Sequence, residues 1–134
     1  MTTKTRKPQP LTLKDAFETE FARRELDRRA REDAERQQQE ADLASAEALH
    51  AALTADGDFL ASRGLSVDIR RYTVTLDHAE FRIAAYFEAG KANVTTADKR
   101  TANPGSTALR KRETADTVED ALRIMAQFLA DETR

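Results

Sequence analysis

From Leu13 to Thr54 the spacing of apolar and polar side chains reads as one helix, yet its middle is unlike an ordinary amphipathic helix. Residues 27–42, DRRAREDAERQQQEAD, carry no apolar side chain larger than alanine. Such a stretch builds no core of its own, so it is expected to lie in water or against a partner. Thr12 followed by Asp15 marks an N-cap with an acidic residue in the first turn. Phe17, Phe21 and Leu26 then form a short apolar stripe, too small for a domain but large enough to dock on something. The plainer alternatives are that Phe17 and Phe21 pair with a second copy of the helix or fold back on the remainder of the chain. Acid-first pairs at i,i+4 (Glu20–Arg24, Glu25–Arg29, Asp27–Arg31 and Glu32–Arg36) support a solvated helix. Ala30, Ala34, Gln37, Ala41, Ala44 and Ala48 also follow a 4-3-4-3-4 spacing, a heptad-like seam that buries little. A continuous helix here would be about 60 Å long at 1.5 Å per residue. A compact domain of this size has a radius of gyration of about 13 Å, so the helix must protrude, break or be shared in an oligomer.

Beyond this stretch the pattern becomes that of a small domain. Leu43, Ala46, Leu49 and Leu53 restore an apolar helical face. Gly57 interrupts it, Asp58 is a candidate cap for a short turn carrying Phe59 and Leu60, and Arg63-Gly64-Leu65 reads as a glycine C-cap with its hydrophobic follower. The period then changes to two. Tyr72, Val74 and Leu76 alternate with Arg71, Thr73 and Thr75, and Asp77-His78-Ala79-Glu80 is a turn. Phe81, Ile83, Ala85 and Phe87 alternate with polar or small residues, Ala89-Gly90-Lys91 turns again, and Ala92, Val94 and Thr96 continue. Asn103-Pro104-Gly105-Ser106 is a turn in a polar loop, and residues 107–113 are a candidate fourth strand, with Arg110, Lys111 and Arg112 suited to a sheet edge. Asp116 with Glu119 predicts a capping box for a last helix whose stripe is Val118, Ala121, Leu122, Met125, Phe128 and Leu129.

The expected fold is α+β: a long charged N-terminal helix, a three- or four-stranded antiparallel sheet, and a C-terminal helix packed on it. Residues 1–11 form an expected disordered basic tail, 12–42 a solvated or partner-binding helical arm, and 43–134 the small domain. The order α-β-β-β-α over residues 43–131 resembles that of double-stranded RNA-binding domains. That family begins its second helix with a lysine-rich motif; here the helix begins Asp116-Thr117-Val118-Glu119-Asp120, which would repel phosphate.

Composition narrows the chemistry. Charged residues make up 34% of the 134 and there is no cysteine, which removes disulfides, thiolate metal sites and cysteine nucleophiles and fits a cytoplasmic protein. No apolar run approaches the roughly 20 residues of a membrane span. The two histidines, His50 and His78, lack partners at a spacing that suggests catalysis. Asp56-Gly57-Asp58 lacks the further ligands of a calcium loop and reads as a helix break. With four glycines and no phosphate-cradling motif, no cofactor, no metal and no enzymatic activity are expected.

Net charge is −2, but its distribution is uneven. Residues 91–112 gather Lys91, Lys99, Arg100, Arg110, Lys111 and Arg112 against Asp98. With Arg71, Arg82 and Tyr86 on the sheet, this block is the candidate site for nucleic acid or another anion. Two functions are therefore expected, in this order. The first is a non-enzymatic interaction protein (an adaptor, regulatory or assembly factor), homodimeric or docked on a protein partner through Phe17, Phe21 and Leu26. The second is a nucleic-acid-binding regulator using the 99–112 loop and the sheet arginines.

Overall fold

The structure, a computed structural model, describes residues 10–100 and 108–133, and leaves aside the side chains of 108–110. Its elements are α1 (Leu13–Thr54), α2 (Gly57–Ser62), β1 (Ser66–Arg70), β2 (Thr73–Asp77), β3 (Phe81–Glu88), β4 (Lys91–Asp98), β5 (Ala108–Ala115) and α3 (Val118–Glu132). The chain divides into two compact units, one ending at Arg36 and the other running from Gln37 to Arg134. The first is the N-terminal part of α1. Its cap is the expected one, with the Thr12 hydroxyl accepting from the Asp15 amide at 3.1 Å. Of the four acid-first pairs, Glu20–Arg24 forms at 3.7 Å. The other charges settle mainly one residue closer: Arg23 binds Glu20, Arg28 binds Glu25 at 2.9 Å, and Arg36 binds Asp33 at 3.1 Å. Arg28 also reaches Glu32 at 2.6 Å, so single arginines bridge two turns.

The second unit holds the sheet. Five strands lie in the order β1-β2-β3-β4-β5, every neighbouring pair antiparallel, so the sheet has five strands rather than the three or four expected. The additional one is β1. Its Val67 and Ile69 face the core and are partly buried, while Ser66, Asp68 and Arg70 are exposed. The five-strand meander also departs from the three-strand order of the RNA-binding resemblance. Residues 108–115 do pair along β4 as an edge strand, with an irregularity in register at Thr96/Ala97. The Asn103–Ser106 turn and the basic tail before Pro10 fall outside the described residues.

One sheet face is buried. Val74, Leu76, Phe81, Ile83, Ala85, Phe87 and Val94 form a single cluster with Met125, Phe128 and Leu129 of α3 and with Ala46, Leu49 and Leu53 of α1. Each large side chain fully buried there contributes about 1.5–3 kcal/mol. The opposite face is open and carries Thr73, Thr75, Tyr86, Asn93, Thr95 and Arg112, as the period-two pattern requires.

The ends of the helices are set locally. Gly64, at φ +68, closes α2: its amide bonds the Ala61 carbonyl at 3.2 Å and the Leu65 amide bonds the Leu60 carbonyl at 2.9 Å. These are the two bonds of a Schellman motif, and Leu65 buries beside Leu60. Two expected caps differ. Residue 58 lies inside the first turn of α2, and Asp56 holds the cap position without a side-chain bond. At α3 the cap is Thr117, whose hydroxyl accepts from the Asp120 amide at 3.0 Å, rather than Asp116. Thr117 takes the extended backbone that an N-cap needs.

Candidate functional site

The most exposed large apolar side chains of α1 are Leu13, Phe17, Phe21 and Leu26. Phe17 is 60% exposed and Phe21 54%, and their rings sit 5.7 Å apart, tilted by 33°. Residues four apart on an α-helix advance by about 40° around the axis, so Leu13, Phe17 and Phe21 form one ridge. Leu26 does not join it. Nine residues beyond Phe17, it lies about 180° around the helix. The ridge is therefore Leu13–Phe17–Phe21 rather than the expected Phe17–Phe21–Leu26, with Leu26 about half a turn away around the helix. Leu13 was hidden by its place beside the cap. The alanine seam from Ala30 to Ala48 is exposed along its length.

In the second unit, α1 carries a group that sequence reasoning missed. Asp42 is 5% exposed, in register with Ala46, Leu49 and Leu53 on the buried face of the helix. Its carboxylate accepts from the amides of Ala89 at 3.0 Å and Gly90 at 2.9 Å, and from the Gln38 side chain at 3.0 Å. Ala89 (φ +53) and Gly90 (φ +79) are the two central residues of the β3–β4 hairpin. Positive φ at both is the signature of a type I′ turn, which leaves these amides pointing outward. Asp42 thus ties α1 to the hairpin. Positions 42, 46, 49 and 53 follow a 4-3-4 spacing that continues the apolar face by one turn, but the spacing alone does not set Asp42 apart from the acids around it.

The basic residues of the second unit are dispersed and largely neutralised. Lys99 binds Asp77 at 2.5 Å and also donates to the His78 carbonyl at 2.9 Å. Arg82 reaches the same Asp77 at 3.2 Å. Burial raises the Asp77 carboxyl, but hydrogen bonds from Lys99 and Arg82 outweigh it and hold the group below its ordinary value. Arg100 sits between Glu80 (3.0 Å) and Glu132 (3.3 Å). Lys111 pairs with Asp131 and lies 5.7 Å over the Phe128 ring, so it faces α3, whereas its neighbour Arg112 faces the open side opposite Thr95. Arg71, at φ +52, turns its guanidinium over Tyr72. Strand β5 contains Arg110, whose side chain is outside the described residues. The open face does form a concavity of ≈ 550 Å³ near β1 and β2, but its arginines, Arg70 and Arg82, are each held by an aspartate at 3.2 Å.

An apolar groove of ≈ 260 Å³ opens between α2 and α3. The buried Leu60, Leu76 and Met125 line it together with the more exposed Phe59, Leu122 and Asp56. Phe59 is 47% exposed with the Arg63 guanidinium 5.9 Å from its ring centre. Of the histidines, His78 stacks on Phe81 at 4.4 Å and accepts from the Glu80 amide, which makes it part of the turn. Among the described residues no group of three His, Asp or Glu side chains is placed to hold a metal ion, and no helix is long and apolar enough to cross a membrane.

No protein-family model, curated protein or solved structure matches this chain at a significant level.

Proposed function

We propose that this chain is a non-enzymatic interaction module that docks through the Leu13–Phe17–Phe21 ridge of α1. The observation that carries the reading is the pairing of two aromatic side chains, each more than half exposed, on a helix that is otherwise charged. A solvated helix gains only about 0.2–0.5 kcal/mol from such an i,i+4 pair, whereas a docking helix needs apolar anchors at i, i+4 and i+8. Covering what remains exposed of the ridge would contribute on the order of 4 kcal/mol in all. Association alone costs about that much or more. One ridge therefore gives a weak complex, and a useful one requires two such contacts or a longer partner surface. The absence of cysteine suits a reducing cytoplasm.

The nucleic-acid reading has less support. Lys99, Arg100 and Lys111 already sit on carboxylates, so a phosphate would have to displace an acid at each. To test the docking reading, Phe17 and Phe21 are both replaced by alanine, and the mass in solution and the set of captured partners are compared with the unaltered chain. Because both rings are exposed in the single chain, helix content and the cooperativity of unfolding are expected to stay unchanged while association falls, and any drop in melting temperature should be no larger than the lost association supplies. Association that is unaffected by the pair of substitutions overturns the reading.

A further inference from the structure

We propose that β1 is a self-association edge: the β1 strands of two copies of this chain pair antiparallel about Ile69, joining two five-stranded sheets into one of ten. The inference goes beyond the docking ridge and does not depend on it. Three observations point to it. The first is a row of open main-chain groups. The Phe87 amide bonds the Tyr72 carbonyl at 2.9 Å, so Tyr72, Val74 and Leu76 direct their main chain toward β3. Thr73, Thr75 and Asp77 therefore bond β1, through Arg70, Asp68 and Ser66. The amides and carbonyls of Val67 and Ile69 are left pointing away from the sheet, at its edge.

The second is protection, which the two edges share unequally. Strand β5 has a register irregularity against β4 and an inward-facing Lys111, both of which discourage a further strand. Strand β1 runs in unbroken register with β2, contains no proline, and turns Val67 and Ile69 inward, each still partly exposed. The third is charge, and it names the occupant. With Ile69 opposite Ile69 of the copy on a two-fold axis, Asp68 of each chain lies across from Arg70 of the other. These are non-bonded pairs, in which opposing side chains come closest. Both groups stand on the open face, Arg70 88% and Asp68 62% exposed, and in a single chain they pair with each other at 3.2 Å. In the dimer that pair persists and each charge gains a second opposite one. Centring the pairing on Asp68 instead would set two aspartates face to face. The run Asp68-Ile69-Arg70 is thus complementary to itself in reverse, in one register. Val67 falls opposite the turn at Arg71 of the copy, so the paired stretch is short and the dimer weak.

The test uses the full chain. Sedimentation across a concentration series reads its mass, and NMR reads the exchange of its backbone amides at both ends of that series. A monomer–dimer equilibrium is expected, with the Ile69 amide exchanging freely when dilute and protected when concentrated. Asp68→Arg and Arg70→Asp each set like charges opposite one another twice, and each is expected to weaken the dimer by about tenfold or more. Mixed, these two variants have opposite charges at both crossings, so a heterodimer should form where neither associates with itself. Both substitutions lie on the open face, and an unaltered circular dichroism spectrum checks that each chain is folded. A chain that stays monomeric throughout the series overturns the inference. So does an Ile69 amide protected equally at every dilution, which would mean that another segment already lies on the edge. A dimer indifferent to both charge reversals overturns it too. If that dimer is instead lost when Phe17 and Phe21 are changed to alanine, the ridge is the self-association surface, and the docking reading stands without the edge.

Discussion

Replacing Asp42 with alanine is the sharpest test of how the second unit is held together. The substitution removes the acceptor for two backbone amides, at 3.0 and 2.9 Å, and for the Gln38 side chain. A hydrogen bond to a charged group contributes about 1.5–3 kcal/mol net. Ala89 and Gly90 are themselves exposed, so water can reach their amides once the carboxylate is gone. The lower end of the range therefore applies, about 3 kcal/mol for the pair. With a urea slope of about 1.5 kcal/mol per molar for a domain of this size, the midpoint should fall by about 2 M. Asp42→Asn keeps one acceptor oxygen and turns a donor toward the other amide, so it should lie between alanine and the parent. Urea unfolding followed by circular dichroism measures the midpoints, and hydrogen exchange at Ala89 and Gly90 reports the contact directly. If Asp42→Ala unfolds within about 0.3 M of the parent chain, with both amides still protected, the carboxylate is not the tie described here.

Three further outcomes are expected. Ala89 occupies the left-handed region without being glycine, and Ala89→Asn would give the Asn-Gly pair that type I′ turns favour; a gain of about 0.5–1 kcal/mol in urea unfolding is expected, and a loss would contradict the turn assignment. The Thr96 hydroxyl is fully buried with no partner among the described residues, so Thr96→Val, nearly the same shape, should stabilise by about 1 kcal/mol; destabilisation would show that the hydroxyl has an acceptor. Asp77 is a carboxylate whose folded value lies below its unfolded one, so its ion pairs stabilise the fold above the unfolded value, near 4, and that part is lost as pH falls through the folded value. An acid titration of stability should therefore be shallower in Asp77→Asn below about pH 4; identical profiles would remove Asp77 from the account.

Much of this architecture is written in local patterns. Phe81–Glu88 alternates so regularly that its bounds, its buried set and the following turn could be read directly, and Gly64 announced the closure of α2. Strand β1 was missed because nothing punctuates it. Its turn to β2 uses Arg71 in the left-handed region, where glycine or asparagine would have been the signal, so Arg71 and Tyr72 read as the start of the strand rather than as the turn before Thr73. The ridge on α1 was visible except for its ends: Leu13 was passed over as part of the cap, and Leu26 was grouped by proximity in sequence although helical rotation sends it to the other side. Asp42 was lost for a deeper reason. An acid inside a run of charges is indistinguishable from its neighbours until its partners, 47 and 48 residues away, are brought to it. The basic block shows the converse limit. Like charges adjacent in the sequence, such as Lys111 and Arg112, alternate between faces of a strand, so that Lys111 meets Asp131 of α3 while Arg112 lies on the opposite face.

The strictly sequential strand order bears on how the chain reaches this state. Every strand pairs with the next one along, so each hairpin closes a short loop, and loop-closure entropy stays small at every step. Two-state domains with such local pairing fold faster than sandwiches or barrels of equal stability. The contact from Asp42 spans nearly half of the second unit and pays back only after β3 and β4 have met. It should form after the rate-limiting step, so its loss would speed unfolding while leaving the refolding rate nearly unchanged. Stopped-flow refolding of Asp42→Ala reads this directly, and a slowed refolding limb would place the helix–hairpin contact in the nucleus instead. The long-range carboxylate is then a lock on the finished domain, one that governs how long it stays folded more than how quickly it gets there.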